Sequence, residues 1–249
     1  MIDLSNKVSI ITGGSRGIGE ACVKLFSKVN GKIALTYKSA KSQAKRLEKE
    51  LGKNVKAYRV DMESEKEIFK MVKKVAEDFG KIDILVHNAG IWNDGTLENM
   101  SLDHWNELIR INLTSTFLFC KAVTPYMKKN KFGRIILITS TAGQRGEAFH
   151  SHYAASKGGM ISFTKSLAVE LAPFNITVNS VAPGWVDTEM NNGVFADEDY
   201  KESIKKGIPV GRIATAEDIA GPTLFLASDL ARHINGEILN VNGGSVLCG

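Results

Sequence analysis

Apolar and polar positions recur in two rhythms along the chain. Short continuous apolar runs, among them Val8-Ser9-Ile10-Ile11 and the β-branched Ile135-Ile136-Leu137-Ile138, predict strands near 8–12, 33–37, 55–60, 83–87, 134–139, 176–181 and 237–241. Between them apolar residues return at helical spacing, as Ile18, Ala21, Cys22, Leu25, Phe26 and Val29 do. Ser64-Glu65-Lys66-Glu67 reads as a capping box opening one helix. Ser101 caps a long helix running through Asn112 towards Met127, and Thr215-Ala216-Glu217-Asp218 starts the last one. Runs apolar throughout suit strands buried on both faces, so a parallel sheet covered by helices is expected.

The alternation continues through all 249 residues without a Pro/Gly/Ser linker, charge block or repeat, which predicts one domain over 1–249. With 43% apolar residues that domain can bury a substantial core. The net charge of +5 raises the question of nucleic acid, but the basic residues gather in two groups. Lys38, Lys41, Lys45, Arg46 and Lys49 form one, and Lys128, Lys129, Lys131 and Arg134 the other; both read as solvated helix faces or turns. No nucleic-acid motif accompanies them, so no nucleic-acid partner is expected and a small phosphate-bearing molecule fits better. No apolar run reaches membrane-spanning length and the first residues lack a signal layout, which points to a cytoplasmic protein with no membrane partner. Cys22, Cys120 and Cys248 are widely spaced, as expected of reduced packing residues, and no metal-ligand spacing occurs.

The chemistry-bearing residues cluster at predicted strand ends. Thr12-Gly13-Gly14-Ser15-Arg16-Gly17-Ile18-Gly19 joins the first strand to a helix start, where open backbone amides can receive a pyrophosphate. Ligands of parallel sheets bind beyond the strand C-termini. Asp61 follows the third strand, Asn88-Ala89-Gly90 the fourth, Ser140 the fifth and Pro183-Gly184 the sixth. Each has an ordinary account as a cap, turn residue or strand-end hydroxyl, but their gathering at one edge does not. Tyr153 and Lys157 lie one helical turn apart on one face. A phenol ordinarily titrates near pH 10, and bringing it down about three units takes roughly 4 kcal/mol, much of which an adjacent ammonium in a dry cleft can supply.

With Thr12-Gly13-x-x-x-Gly17-x-Gly19, Asn88-Ala89-Gly90, Asn112, Ser140, Tyr153-x-x-x-Lys157 and Pro183-Gly184 in this order, the chain resembles the short-chain dehydrogenase/reductase family over essentially its whole length. His87 departs from the asparagine that often opens the Asn-Asn-Ala-Gly segment, a tolerated change if Asn88 has the structural role. The resemblance implies an α/β fold, a Rossmann-type doubly wound parallel seven-stranded sheet with helices on both faces, assembled as a homotetramer. It also implies catalysis of oxidation and reduction: Tyr153 exchanges a proton with the substrate oxygen, Ser140 holds that oxygen, and Lys157 lowers the phenol pKa and binds the nicotinamide ribose. Asn112 positions a water linking Lys157 to solvent. A non-catalytic dinucleotide sensor would be expected to have lost one of Tyr153, Lys157 or Ser140, and none is lost.

The cofactor-binding residues implied are Gly13, Ser15, Arg16, Gly17, Ile18, Gly19, Tyr37, Lys38, Asp61, Met62, Asn88, Ala89, Gly90, Tyr153, Lys157, Pro183, Gly184, Val186 and Thr188. NAD selectivity needs an acid about 20 residues beyond the glycine turn. Between Glu20 and Glu48 there is none, while Arg16 and Lys38 offer cations to a 2′-phosphate, so NADP(H) is expected. Within the family the chain is most similar to the 3-oxoacyl-acyl-carrier-protein reductases, which implies a ketone substrate on a carrier-protein or CoA thioester. Sugar, polyol and hydroxysteroid dehydrogenases share many of the same features. Lys128, Lys129 and Lys131 could dock an acidic carrier, but Phe174 stands where a second basic position is expected. Trp92, Trp185 and Phe195 are expected to border an apolar substrate pocket, and Asn191 to Gly207 to form a lid. His150 and His152 read as helix-entry residues.

Overall fold

Seven strands, β1 (Val8–Ile11), β2 (Lys32–Tyr37), β3 (Val55–Arg59), β4 (Ile84–His87), β5 (Gly133–Ile138), β6 (Ile176–Pro183) and β7 (Ile238–Val241), pair in the order β3-β2-β1-β4-β5-β6-β7. Every pairing is parallel. This is a computed structural model that describes residues 2–247; Cys248 lies outside the described residues. The strand order reverses between β1 and β4, which opens a crevice at their C-terminal ends.

Neighbouring residues on one strand face opposite layers, and the two apolar clusters separate accordingly. Ile11, Val86 and Ile136 pack with α1 (Gly17–Lys28), α2 (Lys41–Leu51) and α10 (Ala216–Ala227) through Phe26, Leu47 and Leu224. Ile10, Leu85 and Ile135 pack with α3 (Glu65–Phe79), α5 (Ser115–Asn130) and α7 (Ser151–Leu171) through Val72, Phe119 and Met160. Each fully buried Ile, Leu or Phe contributes about 1.5–3 kcal/mol relative to exposure, so the sheet is the stability platform for the loops at its edge. The remaining helices are α4 (Leu102–Ile109), α6 (Ala142–Arg145), α8 (Asn192–Phe195) and α9 (Glu198–Lys206). The segment expected as a lid therefore carries two short helices.

Four expectations need correction. The long helix is three pieces: α4, capped by Ser101 accepting from the His104 amide, then a π-helical turn at Arg110–Thr114, then α5. Ser64 caps α3, but the capping box is half closed, because Glu67 accepts from the Asp61 amide at 3.0 Å and the Ser64 amide goes to the Asp61 carbonyl. Thr215 and Asp218 form the full box. Pro183 ends β6 rather than following it; it lacks an amide, yet its carbonyl accepts from Thr141 at 3.0 Å, so the strand runs on. Arg134 is no solvated cation. It is buried in β5, stacked on the Phe132 ring, donating to the Gly133 carbonyl and 3.6 Å from Asp229.

Candidate active site

The glycine turn is built by close approach. A Cβ on Gly19 would stand 2.2 Å from the Gly13 carbonyl oxygen, and Gly13 and Gly17 hold φ of +63° and +53°. Thr12 Oγ1 accepts from the amides of Asn88 and Ala89, both at 2.9 Å, while Asn88 Nδ2 donates to the Thr12 carbonyl at 3.1 Å. The ends of β1 and β4 are thus locked to each other. Arg16 caps α1 with no side-chain bond to its first amides, which stay open at the positive end of the helix. A cradle without side chains at an open helix N-terminus fits a dinucleotide pyrophosphate.

At the neighbouring strand ends Lys38 lies 3.0 Å from Asp61 and 3.4 Å from Glu63. The Asp61 hydrogen bond holds the Lys38 ammonium above its ordinary range, so it stays charged. Arg16 reaches Glu189 at 3.5 Å across the turn. Tyr37, Met62 and Ser15 are almost wholly buried, so a ligand would meet mainly their backbone.

Beyond the switch point lies a cavity of about 380 Å³. Ser140, Tyr153 and Lys157 line it, together with Ile18, Asn88, Gly90, Trp92, Pro183, Gly184, Trp185, Val186 and Thr188. Phe195 stands behind the wall, 5.9 Å from the Trp185 ring, and His150 stacks on Trp92 at 4.4 Å. His152 is buried and pairs with Asn93. Arg145 and Glu147 also line the cavity and were missed in the sequence. They stand on the stretch between Ser140 and Tyr153, which had to pass the site; that adjacency was the available signal.

The Ser140 hydroxyl accepts from the Ala142 amide at 3.1 Å, and its polarity favours ionisation of the Tyr153 phenol. Lys157 Nζ donates to the Ile138 carbonyl at 2.8 Å and stands 5.7 Å from the Tyr153 ring centre. Burial pushes the phenol up to about 12; the Ser140 hydroxyl opposes this and the Glu147 carboxylate adds to it. Burial also brings the lysine down to about 8. A phenol lowered by its lysine was expected; burial is the largest influence on the phenol, and Lys157 Nζ is bonded to the Ile138 carbonyl.

Asn112 sits fully buried in the π-turn. Its side chain closes a two-way bond with Ile91, accepting from the amide at 2.8 Å and donating to the carbonyl at 2.9 Å. It also donates to Ser156 Oγ at 3.2 Å. The side chain is thereby occupied with structure, and the Asn112 backbone carbonyl accepts from the Thr116 hydroxyl at 2.6 Å. Gly90 separates it from Lys157: a Cβ there would lie 3.0 Å from Asn112 Oδ1 and 3.7 Å from Lys157 Nζ. Gly143 similarly lets α6 press on α7, since its Cβ would meet the Lys157 backbone at 2.6 Å.

Comparison with known proteins agrees with this architecture. A family model described as enoyl-(acyl carrier protein) reductase matches residues 13–245. The 3-oxoacyl-[acyl-carrier-protein] reductase FabG of Salmonella typhimurium is 41% identical, with 98% of each chain covered. The FabG proteins of Aquifex aeolicus and Escherichia coli are 41% and 40% identical over the same shares. The crystal structure of gox2181 superimposes with a TM-score of 0.93 at 32% identity, covering 98% of this chain and 96% of that one. With the glycine cradle, the switch-point cavity and near-complete coverage by these relatives, the chain belongs to the short-chain dehydrogenase/reductase family of nicotinamide-dinucleotide-dependent oxidoreductases.

Proposed function

We propose that this enzyme reduces a ketone to a secondary alcohol with NADPH, its substrate being a 3-oxoacyl thioester on acyl-carrier protein or CoA. The observation that carries the reading is that Ser140, Tyr153 and Lys157 face one cavity beside the glycine cradle. The FabG relatives, named for 3-oxoacyl-carrier substrates, support the substrate class.

When bound, the dinucleotide supplies the hydride. Gly13, Gly17, Ile18 and Gly19 would hold its pyrophosphate at the start of α1, with Asn88, Ala89, Gly90, Val186 and Thr188 along the crevice. Ser140 donates to the substrate oxygen and stabilises its growing negative charge. Tyr153, kept protonated by burial, delivers a proton to that oxygen. Lys157, near pKa 8, is able to exchange protons at physiological pH and to bind a ribose hydroxyl. Asn112 anchors the π-turn, whose backbone would position the relay water.

NADPH preference rests on Lys38 and Arg16, half or more exposed at the adenosine end with no acid between Glu20 and Glu48. Lys38 has three protons to donate, so a 2′-phosphate can join Asp61 and Glu63 around it. For carrier docking, Lys128 lies 4.2 Å over the Phe174 ring, so Phe174 orients a cation where a second charge was expected. The reading includes a homotetramer in the cytoplasm; the buried free thiols Cys22 and Cys120 suit a reducing compartment.

NADPH oxidation against acetoacetyl thioesters, simple ketones, ketosugars and ketosteroids tests the proposal, with Tyr153→Phe as control. Thioester turnover at the highest kcat/KM supports it; a clear NADH preference or turnover confined to another ketone class overturns it. A second reading, a sugar or polyol dehydrogenase, is favoured by one observation: Arg145 and Glu147 place charge in the cavity wall, where a polar substrate finds partners and an acyl chain does not.

A further inference from the structure

His87 is the last residue of β4, fully buried beside the site, and its two ring nitrogens reach opposite ways. Nδ1 lies 3.2 Å from Thr12 Oγ1, and Nε2 lies 3.2 Å from Ser115 Oγ. We propose that His87 is a positioning residue which, carrying one proton on Nε2, couples the cofactor-side turn of Thr12, Asn88 and Ala89 to the π-turn that holds Asn112.

The proton's place follows from the neighbours. Thr12 Oγ1 already accepts two amides, from Asn88 and Ala89, so its lone pairs are used and its own proton must go to His87 Nδ1. At the other end the Ser115 hydroxyl donates to the Ile111 carbonyl at 2.5 Å, so its oxygen is free to accept from Nε2–H. Two independent ends demand the same tautomer. The result is one directed chain: amides of Asn88 and Ala89 to Thr12, Thr12 to His87, His87 to Ser115, Ser115 to the Ile111 carbonyl inside the π-turn.

A doubly protonated ring would break this chain at Thr12, and its surroundings disfavour it. Burial and then the Lys157 ammonium bring His87 down to about 3, the Phe119 ring lies 5.3 Å away, and no carboxylate among the described residues is bonded to it. His87 is thus a rigid spacer across physiological pH. An asparagine at this position keeps an acceptor for Thr12 but is too short to reach Ser115. The histidine adds the link to α5, and through Ile111 it steadies the turn from which Asn112 grips Ile91 beside the cavity.

The coupling makes the two halves separable by experiment. His87→Asn and Ser115→Ala each cut only the α5 end, so cofactor affinity, followed by fluorescence titration with NADPH and NADH, stays within about twofold while kcat falls about tenfold, the scale of one lost buried hydrogen bond. His87→Leu cuts both ends and weakens cofactor affinity as well. Independently of turnover, ¹⁵N NMR of the wild-type imidazole should show a neutral ring protonated on Nε2 from pH 5 to 8. A ring titrating near its ordinary value, or protonated on Nδ1, overturns the proposal. So does a His87→Asn or Ser115→Ala protein whose kcat and cofactor affinity fall in parallel, or whose kcat is unchanged.

Discussion

Lys157 Nζ bonds the Ile138 carbonyl at 2.8 Å, not the Tyr153 phenol one turn before it. The strand end, not the tyrosine, is the ammonium's anchor in this state. The pair is therefore held ready by burial, with a neutral phenol and an easily neutralised amine.

Burying Lys157 has a stability cost with a defined pH window. Its folded value near 8 lies below the ordinary 10.5, so between them the unfolded chain binds a proton that the folded one does not. Stability rises with pH across that window, and below pH 8 the cost of the buried charge is present in full. Lys157→Met should thus abolish turnover yet be more stable at pH 7 by about 2 kcal/mol, an advantage that disappears towards pH 10.5. Urea melts at both pH values check it; equal differences at the two would refute the assignment.

Glu147 opposes ionisation of Tyr153. Alcohol oxidation needs the phenol to lose its proton, so its rate climbs with pH, and Glu147→Gln should move that climb to lower pH. Tyr153→Phe should lose about a thousandfold in kcat at every pH. A pH–rate midpoint unmoved in Glu147→Gln would show that the carboxylate does not act on the phenol.

Two glycine-to-alanine changes should part company. Gly19→Ala places a methyl 2.2 Å from the Gly13 carbonyl and should eliminate dinucleotide binding in a fluorescence titration. Gly221, inside α10, has open space where a Cβ would go, so Gly221→Ala should stabilise the fold by roughly 1 kcal/mol in thermal melts. Retained cofactor binding in Gly19→Ala would mean the turn relaxes more than its packing suggests.

Lys38 is the cation best placed for a 2′-phosphate. Lys38→Ala should lower kcat/KM for NADPH about tenfold and leave that for NADH nearly unchanged, because Asp61 and Glu63, freed of their partner, repel a phosphate but not a hydroxyl. Equal losses with both cofactors would place the selectivity elsewhere.

Much of the fold was legible because its signals are local. The β-branched run Ile135-Ile136-Leu137-Ile138 is a strand by its own content, and strand ends shifted only by a residue or two where carbonyl pairing, as at Pro183, carried the ladder on. The glycine turn was readable for the same reason, since open amides and positive φ are properties of the segment itself. The π-turn at Asn112 was not, because the bonds its side chain makes there go to Ile91 and Ser156, which are distant in sequence.

By itself the sequence determined the layered α/β architecture and which residues meet at the C-terminal edge of the sheet, since periodicity and strand-end position follow from the order of residues. Only the tertiary structure decided what those residues do to one another. It turned Lys157 to Ile138, buried Arg134, put Glu147 where it acts on Tyr153 and set the His87 ring between Thr12 and Ser115. Charge and proton placement depend on burial and on the direction of each donor, and neither is set until distant segments have packed.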